Sequence, residues 1–110
     1  MSRVLLDEQL PHTLRRHLAD FDARTVAFQG WISFRNGRLM TAAENARFDA
    51  IVTMDEGFSL QRPATAPRLC IVLIHAPTNT IETLEPLVPE LIAALHALVP
   101  GSVLHVGGRP

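Results

Sequence analysis

The sequence predicts an α/β protein with three layers, α/β/α, around a small, mostly parallel central sheet of about five strands. Two observations carry that prediction. Short apolar runs are consecutive rather than alternating, as in Val4-Leu5-Leu6, Ala50-Ile51-Val52 and the stretch from Leu69 to Ile74; this is the pattern of strands buried on both faces. Between them lie stretches whose apolar residues recur every three or four positions, the spacing of one helical face. The resulting order is β-α-β-α-β-(α)-β-α-β, and such alternation argues for parallel strands joined by helical crossovers.

Each element has its own warrant. Residues 3–6 form a buried strand. Pro11 suits the first turn of a helix, and Leu10, Leu14 and Leu18 share one face of it, with Arg15, Arg16 and Asp20 off that face. "ARTVAF" (23–28) is expected as a second strand. "QGWISFRNG" (29–37) is a loop punctuated by Gly30 and Asn36-Gly37. Asn36 is expected to N-cap the next helix, in which Leu39, Met40, Ala43 and Ala46 or Arg47 keep helical spacing. "DAIVT" (49–53) is the third strand, and residues 56–67 hold at most one helical turn. "RLCIVLIHA" (68–76) is the plainest strand of all. From Ile81 to Leu98 the apolar positions are helical, with Pro86 and Pro89 kinking or splitting the helix because neither can donate to its ladder. Pro100-Gly101 stops it, "SVLHV" (102–106) is the last strand, and "GGRP" is a tail.

The 110 residues suit one domain, 1–110, and a hydrophobic fraction of 47% suits a folded core. The net charge of −1 lacks the basic excess of proteins that coat nucleic acid, so any such contact must be local. All ten basic residues are Arg; without Lys, Schiff-base and P-loop chemistry are excluded. The single cysteine, Cys70, allows no disulfide within the chain and is expected as a small buried hydrophobe. The cytoplasm is the natural compartment. No apolar run approaches the ~18 residues of a membrane span. The first apolar stretch is cut at Asp7 after three residues, which does not read as a signal peptide.

Chemistry concentrates where two strands end in acid. Asp7-Glu8 follows the first and Thr53-x-Asp55 the third. Sites in open α/β sheets form at the carboxyl ends of strands, so both acidic ends are expected in one crevice. Crowded carboxylates raise one another's pKa unless a cation lies between them, and the usual cation for oxygen ligands is Mg²⁺ or Mn²⁺. Such an ion can lower the pKa of water and steady a phosphate. The competing reading makes Asp7, Glu8, Asp55 and Glu56 helix caps or turn residues, and pattern alone leaves the two even.

Other residues are weighed the same way. Trp31 is a stacking platform for a base or, more ordinarily, a ring over the core edge. Arg15, Arg16, Arg35, Arg38 and Arg62 are candidates for phosphate contact, each otherwise a solvated surface group; Arg35 and Arg38 are the best placed because they flank Asn36. Gln61 is a candidate substrate contact. The five histidines (12, 17, 75, 96 and 105) show no metal-ligand spacing, and His12 is expected as a surface or cap residue. A serine-nucleophile elbow and a Gly-rich phosphate loop are both missing. A response-regulator receiver would pair acids in the same places but needs a strand-end Lys.

The runs "LLDEQLP" and "NGRLMTAAENARFDAIVTMDEGF" resemble the PIN-like fold, most closely the short, stand-alone bacterial PIN-like proteins related to VapC-type toxin ribonucleases. The resemblance covers nearly the whole chain, and its paired motifs are moderately specific. It implies a metal-dependent ribonuclease that binds Mg²⁺ or Mn²⁺ and hydrolyses RNA phosphodiester bonds. It implies Asp7 and Asp55 as metal ligands and catalytic residues, Glu8 as an accessory acid and Thr53 as their support. RNA is then the substrate, an antitoxin protein a partner, and a homodimer a further expectation to which the apolar helix 81–98 could contribute. One departure stands out. The family's third acid falls at Asn36, which can ligate a metal through its carbonyl but brings no charge. The family's internal Glu has no clear counterpart, Glu44 being nearest, eight residues on and roughly two helical turns away. A PIN-like module that binds RNA or a protein without cutting therefore stays open beside the nuclease, as does a scaffold whose acids are only caps.

Overall fold

Five short strands make one all-parallel sheet in the computed structural model, which describes residues 1–108; Arg109 and Pro110 of the expected tail lie outside the described residues. The strands are β1 (Arg3–Leu6), β2 (Asp22–Thr25), β3 (Ala50–Thr53), β4 (Cys70–Ile74) and β5 (Val103–Val106), in the spatial order β2-β1-β3-β4-β5. Between them lie a 3-10 helix (His12–His17), α1 (Val26–Gln29), α2 (Asn36–Asn45), α3 (Gly57–Leu60), α4 (Ile81–Leu84), a 3-10 turn (Glu85–Leu87) and α5 (Val88–His96).

Successive strand residues point to opposite faces, which is why the strands need consecutive apolar residues. Val4, Leu6, Val52, Val72 and Ile74 pack with Leu14 of the first 3-10 helix and Leu18 just after it, and with Leu84, Leu91 and Leu95 of α4 and α5. Leu5, Ile51, Ile71 and Leu73 pack on the other face with Leu39, Met40 and Ala43 of α2 and with Phe58 of α3. The sheet is thus covered on both sides, as three layers. Leu5 and Ile51 are fully buried, and burial of a side chain of this size contributes about 1.5–3 kcal/mol. No helix among the described residues is long and apolar enough to cross a membrane.

Three local expectations are corrected. The second strand ends at Thr25 rather than at residue 28: the Thr25 hydroxyl accepts the Phe28 N–H at 3.0 Å and caps the single turn of α1, leaving Phe28 70% exposed. The first helix is 3-10 rather than α, and Pro11 before it makes no side-chain cap. Asn36 is not the cap of α2. Arg35 holds that position without a side-chain bond, and Asn36 is the first helical residue. The C-terminal helix is split at its prolines as expected, with Pro89 in the first turn of α5, where its missing N–H costs no helical bond.

Candidate functional site

β1 and β3 are neighbours, yet the chain leaves β1 for β2 on one side and β3 for β4 on the other. A crevice opens outside the carboxyl ends of strands at such a topological switch point. Leu6 pairs with Val52, and the Asp7 N–H continues the ladder onto the Val52 carbonyl at 3.0 Å. Asp7 and Thr53 therefore emerge side by side.

Asp7 is only 7% exposed. Its Oδ2 accepts the Thr53 hydroxyl at 2.7 Å and its Oδ1 accepts the Glu8 N–H at 2.9 Å. Burial pushes the Asp7 carboxyl above its usual range; the bonds from Thr53 and Glu8 oppose this, and the charges of Glu8 and Asp55 add to it. Thr53 also reaches Asp55, whose backbone N–H donates to the Thr53 oxygen at 3.0 Å. Asp55 Oδ1 accepts the Gly57 N–H at 2.8 Å, and Oδ2 accepts the Asn36 side-chain amide at 3.3 Å. The start of α2 thus meets the turn after β3. A Cβ on Gly57 would lie 3.0 Å from Asp55 Oδ1 and 3.1 Å from Asn36 Nδ2, so glycine is what lets these two groups close together.

The cap reading accounts for part of this. Asp55 does satisfy an N–H at the first turn of α3, whereas Glu56 holds the N-cap position without a side-chain bond. It does not account for Asp7, since a carboxylate that only caps a turn has no need of burial.

Of the expected site residues, the structure joins Asp7, Thr53, Asp55 and Asn36 through hydrogen bonds. Glu8 is exposed beside Asp7. Arg35 is exposed next to Asn36, and the Arg38 guanidinium lies 3.8 Å above the Phe34 ring. Trp31 takes the core-edge place, half-buried, stacked on Phe34 and edge-on to Phe48. Gln61 is exposed at the C-terminal end of α3, and His12 is exposed at the surface. Two candidates have structural work elsewhere. Glu44 Oε1 accepts the N–H groups of Arg68 and Leu69 at 3.0 and 2.9 Å, holding the chain just before β4, so it is not the missing acid. Arg62 donates to the carbonyls of Ala66, Leu69 and Gly101 and ties the 61–67 loop to the chain around it. Gly57 escaped the sequence reading, because a glycine after an acidic turn looks like punctuation.

Among the described residues, no group of three or more His, Cys, Asp or Glu comes together as a metal-holding cluster. The oxygen donors present still suit a hard divalent cation. Each of the four carboxylate oxygens of Asp7 and Asp55 accepts one hydrogen bond, and a carboxylate oxygen has a second acceptor direction to offer. Two carboxylates with retained waters are a usual Mg²⁺ environment.

Fold and site together define a three-layer α/β protein with two carboxylates joined through Thr53 at the switch point of its sheet. The chain matches no protein-family model, no curated protein and no solved structure.

Proposed function

We propose that this chain is a metal-dependent ribonuclease of PIN-like type, cytoplasmic and the toxin half of a toxin–antitoxin pair, hydrolysing RNA phosphodiester bonds at the crevice between β1 and β3. The observation that supports this reading best is Thr53, whose one hydroxyl group holds the buried Asp7 carboxyl and the backbone of Asp55 together. Asp7 and Asp55, with the Asn36 carbonyl if its amide turns over, are the groups that would hold Mg²⁺ or Mn²⁺. Such an ion, when bound, would supply positive charge that favours the ionised form of the buried Asp7 carboxyl and would lower the pKa of water. Thr53 fixes the direction of Asp7, Gly57 leaves room for Asn36 beside Asp55, and Glu8 adds an accessory acid at the opening. Arg35 and Arg38 offer guanidinium groups to RNA phosphates.

The test is cleavage of a fluorescently labelled single-stranded RNA with Mn²⁺. Wild type should cut; Asp7→Asn and Asp55→Asn should each lose about a hundredfold or more, as removal of a key electrostatic group commonly does. Full activity in both variants would sink the proposal.

A second reading has its own observation. Asn36 stands where the resemblance expects an acid, and its side chain is already spent on Asp55. Under this reading the chain binds RNA or a protein partner and does not cut. Binding without cleavage at any manganese concentration, together with tighter manganese binding by Asn36→Asp, would favour it.

A further inference from the structure

The sheet brings together two histidines that lie 30 residues apart in the sequence. His75 directly follows β4, and His105 lies in β5, beside Leu73 in the parallel register. His75 Nε2 and His105 Nδ1 are 2.8 Å apart, the ring centroids are 5.1 Å apart and the planes are tilted by 19°. The backbone holds them there. The His75 N–H donates to the Val106 carbonyl at 2.8 Å. The chain after β5 then passes so close that a Cβ on Gly107 or Gly108 would come within 2.6 or 2.8 Å of the His75 carbonyl oxygen.

We propose that His75 and His105 form a two-imidazole clasp for one borderline divalent cation: Zn²⁺, Ni²⁺ or Cu²⁺. Imidazole nitrogen is the ligand type these ions favour over the hard cations. With metal–nitrogen bonds of about 2.0–2.1 Å, two ligands in adjacent positions on one ion stand about 3 Å apart, close to the spacing already present. Without a cation, a proton on one ring bridges the pair, because a ring nitrogen must donate and its neighbour accept. When a cation binds, that proton passes through solvent to the far nitrogen of its own ring, His75 Nδ1 or His105 Nε2, so that both facing nitrogens offer a lone pair to the ion. Water fills the other positions, for which a cleft of about 330 Å³, lined by Met54, Glu56 and His75, opens alongside. The clasp's ligands are nitrogens on β5 and just after β4, whereas Asp7 and Asp55 offer oxygen at the ends of β1 and β3; the cleft beside the clasp is lined in part by the two neighbours of Asp55. The inference does not depend on ribonuclease activity.

The experiment is calorimetric titration of NiCl₂ and of ZnCl₂ into the full chain in excess MgCl₂, which keeps oxygen sites occupied, wild type beside His75→Gln, His105→Gln and His12→Gln. Wild type should bind one nickel or zinc ion per chain, each clasp variant should bind at least about tenfold more weakly, and His12→Gln, at an exposed histidine, should bind as wild type does. A wild type that takes up neither ion, or affinities unchanged in both clasp variants, would overturn the proposal. Imidazole ¹H–¹⁵N spectra of the wild type under ZnCl₂ keep the test independent of whether the variants fold. The ring signals of His75 and His105 should move while those of His12 and His96 stay; movement confined to the latter would also overturn it.

Discussion

The Thr53 hydroxyl donates to Asp7 Oδ2 at 2.7 Å while its oxygen accepts the Asp55 N–H at 3.0 Å. One fully buried side chain thus couples the ends of β1 and β3. Valine has nearly the same shape but can neither donate nor accept. Thr53→Val should destabilise the fold by about 1–3 kcal/mol, the usual cost of leaving a buried polar group unpaired. Thr53→Ser, which keeps the hydroxyl, should recover part of that loss. Urea unfolding of the three proteins measures both effects, and equal midpoints would show that the bridge adds nothing to stability.

Asp7 makes stability depend on pH in an unusual direction for an acid. Burial raises its folded-state pKa above the ordinary 3.8, so the folded chain binds the proton more tightly than the unfolded chain does. Its contribution is fully present below the unfolded value and is lost as pH rises through the raised folded value. Asp7→Asn removes this term. Relative to wild type, the variant should therefore be more favoured at about pH 8 than at about pH 4 in urea unfolding. The same linkage predicts that Mn²⁺, which favours the ionised carboxyl, binds more tightly as pH rises.

The layers and the two acidic strand ends were legible in the sequence because consecutive apolar residues and helical spacing are local patterns. Asn36 stands out in the sequence as loop punctuation and a cap, yet it is the first helical residue and its amide goes to Asp55, 19 residues off. Glu44 shows the same limit, since the N–H groups it holds lie 24 and 25 residues away. The His75–His105 pair could not be read as a spacing motif at all, because strand register, not sequence interval, sets its geometry. Residues 26–28 look like strand from their own composition, and only the Thr25 cap turns them into a helical turn.

Gly57 sets how closely Asp55 and Asn36 approach. In Gly57→Ala the new methyl would sit at 3.0 Å from one and 3.1 Å from the other, so one must move. The crowding should cost about 1–3 kcal/mol, typical of overpacking, and the preference of a helical position for alanine over glycine offsets roughly 0.5–1 kcal/mol of that. The Asn36–Asp55 bond, already long at 3.3 Å, is the one expected to open. Manganese titration should then show weaker binding than wild type. Unchanged affinity in a folded variant would mean that Asn36 plays no part in orienting Asp55.

Arg47 closes α2 in the left-handed region, at φ 65°, the only non-glycine among the described residues with positive φ. The Phe48 N–H returns to the Ala43 carbonyl at 2.9 Å and the Arg47 N–H to the Glu44 carbonyl at 3.0 Å, a helix-ending pattern in which glycine usually holds this place. A side chain here costs about 1–2 kcal/mol of steric strain. Glycine would release that strain, though its greater freedom in the unfolded chain takes back part of the gain. Arg47→Gly should therefore stabilise the fold by about 0.5–1 kcal/mol. Arg47→Ala, which keeps the Cβ, should leave stability nearly unchanged. Thermal unfolding of the pair separates backbone strain from loss of the guanidinium: if alanine stabilises as much as glycine, the charge and not the φ angle is the source.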